Sequence, residues 1–141
     1  MKQPRISGRA IIFDNDQVIL LFRHKKTADG YKEYYAIPGG GQDEGETITE
    51  CVIRELKEEY NVDIKINEFL GQVGDDKNLS YIYYCEIING KPILGGEEKE
   101  RNNEDNYYEI QYIKVNELDN YNILEENKKL IRKAYQIKEG K

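Results

Sequence analysis

Apolar residues gather at Ile6 and from Ala10 to Phe13, a spacing that predicts a strand over 5–13. The run QVILLFR predicts a second strand over 17–23, and the turn signal Asp14-Asn15-Asp16 between the two predicts a hairpin. A polar loop over 27–32 leads to a short extended piece over 34–37, stopped by Pro38-Gly39-Gly40-Gly41. The apolar period then lengthens. Val52, Ile53, Leu56 and Tyr60 fall on one helix face. Thr47-Ile48-Thr49-Glu50 has the form of a capping box, with Thr47 at the N-cap. Asn61 sits where this helix should stop, and Asn tolerates the left-handed conformation such a stop uses. Two long strands are predicted over 62–73 and 79–88, with a turn over 74–78 between them and another turn signal at Asn89-Gly90. A charged loop over 95–106 precedes a last strand over 107–115. A closing helix is predicted over 123–137, with Leu124, Leu130, Ile131, Ala134 and Tyr135 as its buried positions. Strands interleaved with helices predict an α/β or α+β class with a mixed sheet. Without repeats or low-complexity linkers, the 141 residues read as one domain over 1–141.

Composition narrows the function classes. Twelve Tyr and three Phe supply core bulk in a chain without Trp. The net charge of −6 counts against non-specific nucleic-acid binding, which rests on neutralising phosphates, but leaves room for a small phosphorylated ligand held by local bases. No apolar run approaches the ~20 residues of a membrane span. The first residues pass at once into a strand pattern and show no signal peptide, which sets a cytoplasmic expectation. Cys51 and Cys85 form no CxxC, so neither a disulfide framework nor a zinc site is expected, and His24 is the only histidine.

The chemistry concentrates on the first helix. Glu55, Glu58 and Glu59 stand at i, i+3 and i+4, within an arc of about 100°. Like charges so spaced cost a helix roughly 0.2–0.5 kcal/mol per pair. A hard divalent cation turns that repulsion into binding, and oxygen-only ligation favours Mg²⁺ or Mn²⁺ over zinc. Taken alone, an ELKEE run is an ordinary solvated helix face.

Its surroundings say otherwise. The stretch GGQDEGETITECVIRELKEEYNV over 40–62 resembles the signature of the Nudix hydrolases, G-x5-E-x7-R-E-U-x-E-E-x-G-U, where U is a bulky aliphatic. Gly40, Glu46, Arg54, Glu55, Leu56, Glu58, Glu59 and Val62 meet the pattern, and Asn61 stands where the family has Gly. The preceding YYAIPGG and the arrangement of the other elements extend the resemblance over nearly the whole chain. It implies an α/β/α sandwich with a mixed β-sheet between helices. It also implies Mg²⁺- or Mn²⁺-dependent hydrolysis of a nucleoside diphosphate linked to a group X, by attack of water on phosphorus. By position in the signature, Glu58 and Glu59 are metal ligands, and Glu55 is a further ligand or the general base. Glu46 and Arg54 hold the loop to the helix behind them, Arg54 counting with the catalytic set. Gly39, Gly40 and Gly41 let the backbone approach a bound phosphate.

Outside the signature the resemblance implies one more carboxylate from the loop before the last strand. Glu97, Glu98, Glu100 and Glu104 compete, and GGEE places it at Glu98. Arg23 is the expected phosphate holder, beside Lys25 and Lys26. Tyr34, Tyr35, Tyr81, Tyr83 and Tyr84 are candidates for stacking on a base, and Asn127 for reading one. Cys51 reads as a small buried residue. Small size favours a MutT-like enzyme that cuts a (d)NTP, or an oxidised dNTP, to a monophosphate and pyrophosphate. The segments that mark NADH- and coenzyme A-specific members are missing, and no proline between Pro38 and Pro92 marks the ADP-ribose group. Dinucleoside polyphosphates, nucleotide sugars, RNA 5′ ends and a non-catalytic nucleotide-sensing role remain as alternatives. The expected partner is a small nucleotide, met by a monomer or homodimer without nucleic acid or membrane.

Overall fold

The computed structural model describes residues 3–95 and 103–140. Its elements in chain order are β1 (Arg5–Ile11), β2 (Phe13–Asp14), β3 (Gln17–Thr27), β4 (Gly30–Ala36), β5 (Gly39–Gly41), α1 (Ile48–Tyr60), β6 (Val62–Gly74), β7 (Asn78–Gly90), β8 (Asn106–Lys114) and α2 (Glu125–Lys138). A 3-10 turn over Val115–Asn120 joins β8 to the closing helix.

The class is the mixed α/β arrangement expected, but the strands divide between two sheets. One has the order β5-β1-β7-β6, with β1 and β7 parallel and the other pairs antiparallel. The second is antiparallel and centred on β3, which pairs with β2 and β4 on one side and β8 on the other. The predicted hairpin between the first two strands therefore shrinks to Phe13 and Asp14 against Val18 and Gln17. Ile12 breaks the predicted strand over 5–13, and its first part crosses to the other sheet. The expected polar loop over 27–32 is instead the tip of the β3–β4 hairpin. Three glycines read as a stop form an edge strand, with Ser7, Gly8 and Arg9 opposite Gly41, Gly40 and Gly39.

Strand alternation sends successive side chains to opposite faces, and two cores result. Ala10, Ile12, Ile19 and Leu21 pack with Val52, Leu56 and Tyr60 of α1. Ile11, Val18 and Leu20 pack with Ile131 and Ala134 of α2. The sheets thus lie between one helix on each side. Full burial of Leu56 alone contributes roughly 1.5–3 kcal/mol to holding α1 in place. Two positions expected inside are out: Ile53 and Leu124 are exposed, because α1 presents only a narrow stripe inward and α2 begins one residue after Leu124.

Candidate active site

Helix α1 starts and stops as its sequence dictates. Thr47 caps it, accepting from the Glu50 backbone N–H at 3.2 Å, while the Glu50 carboxylate accepts from the Thr47 N–H at 2.8 Å. Asn61 ends it at φ 59° and ψ 36°, the left-handed conformation that a family glycine would take freely. Both ends being fixed, the acidic residues of the last two turns face a definite place.

That place is the glycine strand. Gly39–Gly41, Arg54, Glu55, Glu58 and Glu59 line one polar cavity of about 770 Å³, together with Arg5 and the 42–43 backbone turn. Any Cβ at Gly40 would overlap the Glu55 carboxylate. The glutamates differ in exposure. Glu58 is exposed, Glu55 is half-buried, and Glu59 is only 7% exposed. Glu59 therefore departs from the expected solvent-facing position; its backbone carbonyl accepts from the Gly95 N–H at 2.8 Å, where the chain that follows β7 meets the end of α1.

Arg54 organises the group. Its Nε and Nη2 donate to the two Glu46 oxygens at 2.6 and 3.0 Å, a bidentate pair. Nη1 reaches Glu55 at 3.0 Å and Glu58 at 3.2 Å, and Nη2 also donates to the Gly41 carbonyl at 2.9 Å. One guanidinium thus ties the loop, the glycine strand and the helix together. Hydrogen bonding to Arg54 holds Glu46 below the usual carboxylate range. Burial pushes Glu55 up, and the charges of Glu59 and Glu58 add to the rise despite Arg54.

The donor set fits a hard divalent cation. It offers oxygen only, and its surplus negative charge is the condition such an ion relieves. Among the described residues no three carboxylates stand together at coordination distance as they are placed, because Arg54 draws Glu55 and Glu58 toward itself. Glu58, on the exposed face, has the freedom to turn from Arg54 toward an ion. Glu98 lies outside the described residues, as do Glu97 and Glu100, and Glu104 is exposed.

Arg23 faces the other side of the glycine strand. It lines a second cavity of about 370 Å³ with Gly39–Gly41, Tyr34, Arg5 and Arg9. Lys25 and Lys26, expected beside it, are exposed toward the hairpin tip and do not line this cavity, and His24 contacts Glu33 at 2.8 Å there. Arg5 and Arg9 went unnoticed in the sequence, although Arg5, Ser7 and Arg9 alternate along one strand face, the pattern that could have revealed them. Tyr83 and Tyr84 are buried core residues. Tyr34 and Tyr35 line a further cavity of about 300 Å³ with Asn122 and Asn127. Cys51 is fully buried, its Sγ 3.4 Å from the Gly40 carbonyl, and burial pushes its thiol up to about 11. That is an unreactive thiol under the glycine strand.

Comparison with known proteins agrees with this geometry. Residues 3–134 match the NUDIX domain family. An ADP-ribose pyrophosphatase of Methanocaldococcus jannaschii is 33% identical over 95 residues, 63% of this chain and 55% of that protein. A second relative, from Caenorhabditis elegans, is 33% identical over 106 residues, 74% of this chain but 28% of its own length. The chain therefore spans about half or less of the curated relatives it matches. Among solved structures, a NUDIX-family hydrolase from Clostridium perfringens superposes with a TM-score of 0.72 at 15% identity, covering 96% of this chain and 99% of that one. A MutT protein from Methanosarcina mazei Go1 gives a TM-score of 0.67 at 14% identity, with 98% of each chain covered. At such identities the likeness is one of fold.

Proposed function

The chain belongs to the NUDIX family, and from that premise we propose that it hydrolyses a diphosphate bond in a nucleoside diphosphate-X substrate, acting as a single domain over 1–141. The observation that carries this reading is the face-to-face placement of Glu55, Glu58 and Glu59 with the Gly39–Gly41 strand across one polar cavity. Carboxylates alone repel a diphosphate; Glu55, Glu58 and Glu59 would hold a divalent cation, Mg²⁺ or Mn²⁺, between them and the substrate. Glu98 is the proposed further ligand. The bound cation supplies neutralisation of phosphate charge and a more acidic water.

The rest is work for the chain's own groups. Gly39, Gly40 and Gly41 admit the diphosphate close to backbone. Arg54 holds Glu55 at 3.0 Å and fixes its position through Glu46. Glu55, half-buried and beside the cavity, is placed to accept a proton from the attacking water. Arg23 holds phosphate from the opposite side of the strand. The substrate class supported best is a (d)NTP, or an oxidised dNTP, cut to a monophosphate and pyrophosphate. The name of the Methanocaldococcus relative favours a second reading, ADP-ribose.

A panel of nucleoside triphosphates, ADP-ribose and nucleoside monophosphates, assayed for released phosphate or pyrophosphate with and without Mg²⁺, tests the proposal. Metal-dependent cleavage of at least one diphosphate-linked nucleotide is expected, rising toward alkaline pH as the water or its base loses a proton. Release of phosphate from monoesters alone overturns it.

A further inference from the structure

Three arginines with no acidic partner among the described residues meet in the second cavity. Arg5 and Arg9 come from one face of β1 and Arg23 from β3, so the cavity lies between the two sheets. Arg9 is held firmly, its Nε donating to Ser80 Oγ at 3.2 Å and its Nη1 to the Ile37 carbonyl at 2.9 Å. Arg23 donates from Nη2 to the Tyr108 hydroxyl at 2.9 Å and lies 4.7 Å from the centre of that ring. Its Nε is buried and has no hydrogen-bond partner among the described residues. No described carboxylate pairs with any of the three. Arg9 and the buried Nε of Arg23, with no carboxylate partner among the described residues, are costly to leave so. Burial and the neighbouring Arg23 charge both press on Arg9.

The glycine strand separates this group from the acids. A Cβ at Gly40 would meet Glu55, whereas one at Gly41 would lie 3.2 Å from Arg5 Nη2 and one at Gly39 2.7 Å from Arg9 Cγ. Gly39–Gly41 and Arg5 line both cavities, so a chain of linked phosphates can cross from one to the other. A neutral X, such as a sugar ring, would cover the arginines without pairing them. Leaving desolvated charges unpaired costs more than leaving them in water.

We propose that Arg5, Arg9 and Arg23 form an anion subsite that receives a phosphate of group X, so that the enzyme acts on nucleotides whose X is itself phosphate, nucleoside triphosphates foremost, rather than on those with a neutral X. The assignment to X rests on the hydrolase reading above; the existence of an anion site does not.

Calorimetric binding of inorganic tripolyphosphate to the whole chain in EDTA, at low ionic strength, tests the site without turnover. One-to-one binding is expected, weakened at least about tenfold by Arg9→Gln and by Arg5→Gln and not weakened by Glu58→Gln. Arg5 is exposed, so its variant decides the matter should Arg9→Gln fail to fold. Absence of binding to the unaltered chain, or equal binding by Arg5→Gln, overturns the subsite. In turnover, kcat/KM for a nucleoside triphosphate should fall at least about tenfold in Arg5→Gln, and that for ADP-ribose less than about threefold. Equal losses overturn the assignment to X. Tripolyphosphate bound through the arginines by a chain that cleaves no nucleotide would refute the hydrolase reading while upholding the anion site.

Discussion

Gly40 lies so close to Glu55 that a Cβ placed there would overlap the Glu55 carboxylate, which would have to move. In the proposed reading, this pair sets how near a phosphate bound at the glycine strand comes to the carboxylates. Gly40→Ala should displace Glu55 and cut kcat at least about a hundredfold, the scale of loss from a displacement of about 1 Å in a reacting group. Steady-state kinetics with the best substrate of the panel checks this. Near-normal kcat would mean that Glu55 has no part in the chemistry.

Glu58→Gln and Glu59→Gln should each lose at least about a hundredfold in turnover, since each removes a full charge from the proposed cation site. Their stabilities should differ. Glu58 is exposed and its bond to Arg54 offsets its repulsion by Glu55, so thermal stability in EDTA should change by no more than about 0.5 kcal/mol. Glu59 is buried, so removing its charge should shift stability more, a difference that parallel melting curves will show.

Arg54→Lys keeps the charge but cannot reproduce the fork that grips both Glu46 oxygens. A stability loss of about 1–3 kcal/mol is expected in urea titrations, with a fall in kcat as Glu55 loses its anchor. A Lys variant as stable and active as the parent would show that the bidentate pair is dispensable.

Asn61 has φ 59°, a conformation that β-branched residues resist. Asn61→Gly should be neutral or mildly stabilising, and Asn61→Val should cost roughly 1–2 kcal/mol. Chemical denaturation of the two variants checks the difference.

Acid should unfold the protein through particular carboxylates. The Arg54 hydrogen bonds lower Glu46, and the Thr47 backbone N–H lowers Glu50, both from an ordinary 4.5. Arg132 and Lys128 lower Asp119 from 3.8. A group depressed by folding contributes stability above its unfolded value and loses that contribution as pH falls through its folded value. The melting temperature should therefore hold steady above about pH 5 and fall below it. Glu46→Gln should flatten that fall, and a fall of unchanged steepness would count against the Arg54 pairing as its source.

The sequence by itself determined where helix α1 starts and stops. Its cap Thr47 and its stop Asn61 flank the thirteen residues of the helix, and local backbone chemistry alone enforces them. Strand alternation, likewise local, sends Ala10 and Ile12 to one face and Ile11 to the other. Only the tertiary structure decided which strands are neighbours. Ile12 parts β1 from β2, and β1 thereby leaves its expected partner β3 to lie between β5 and β7. That choice turns three glycines into a strand between Glu55 and the arginines, and brings Arg9 and Arg23 to one cavity from different sheets. Periodicity specifies the face a side chain takes, but its charge environment is set by residues distant along the chain. For the same reason Glu59 and Glu58, adjacent and identical in the sequence, end one buried and one exposed.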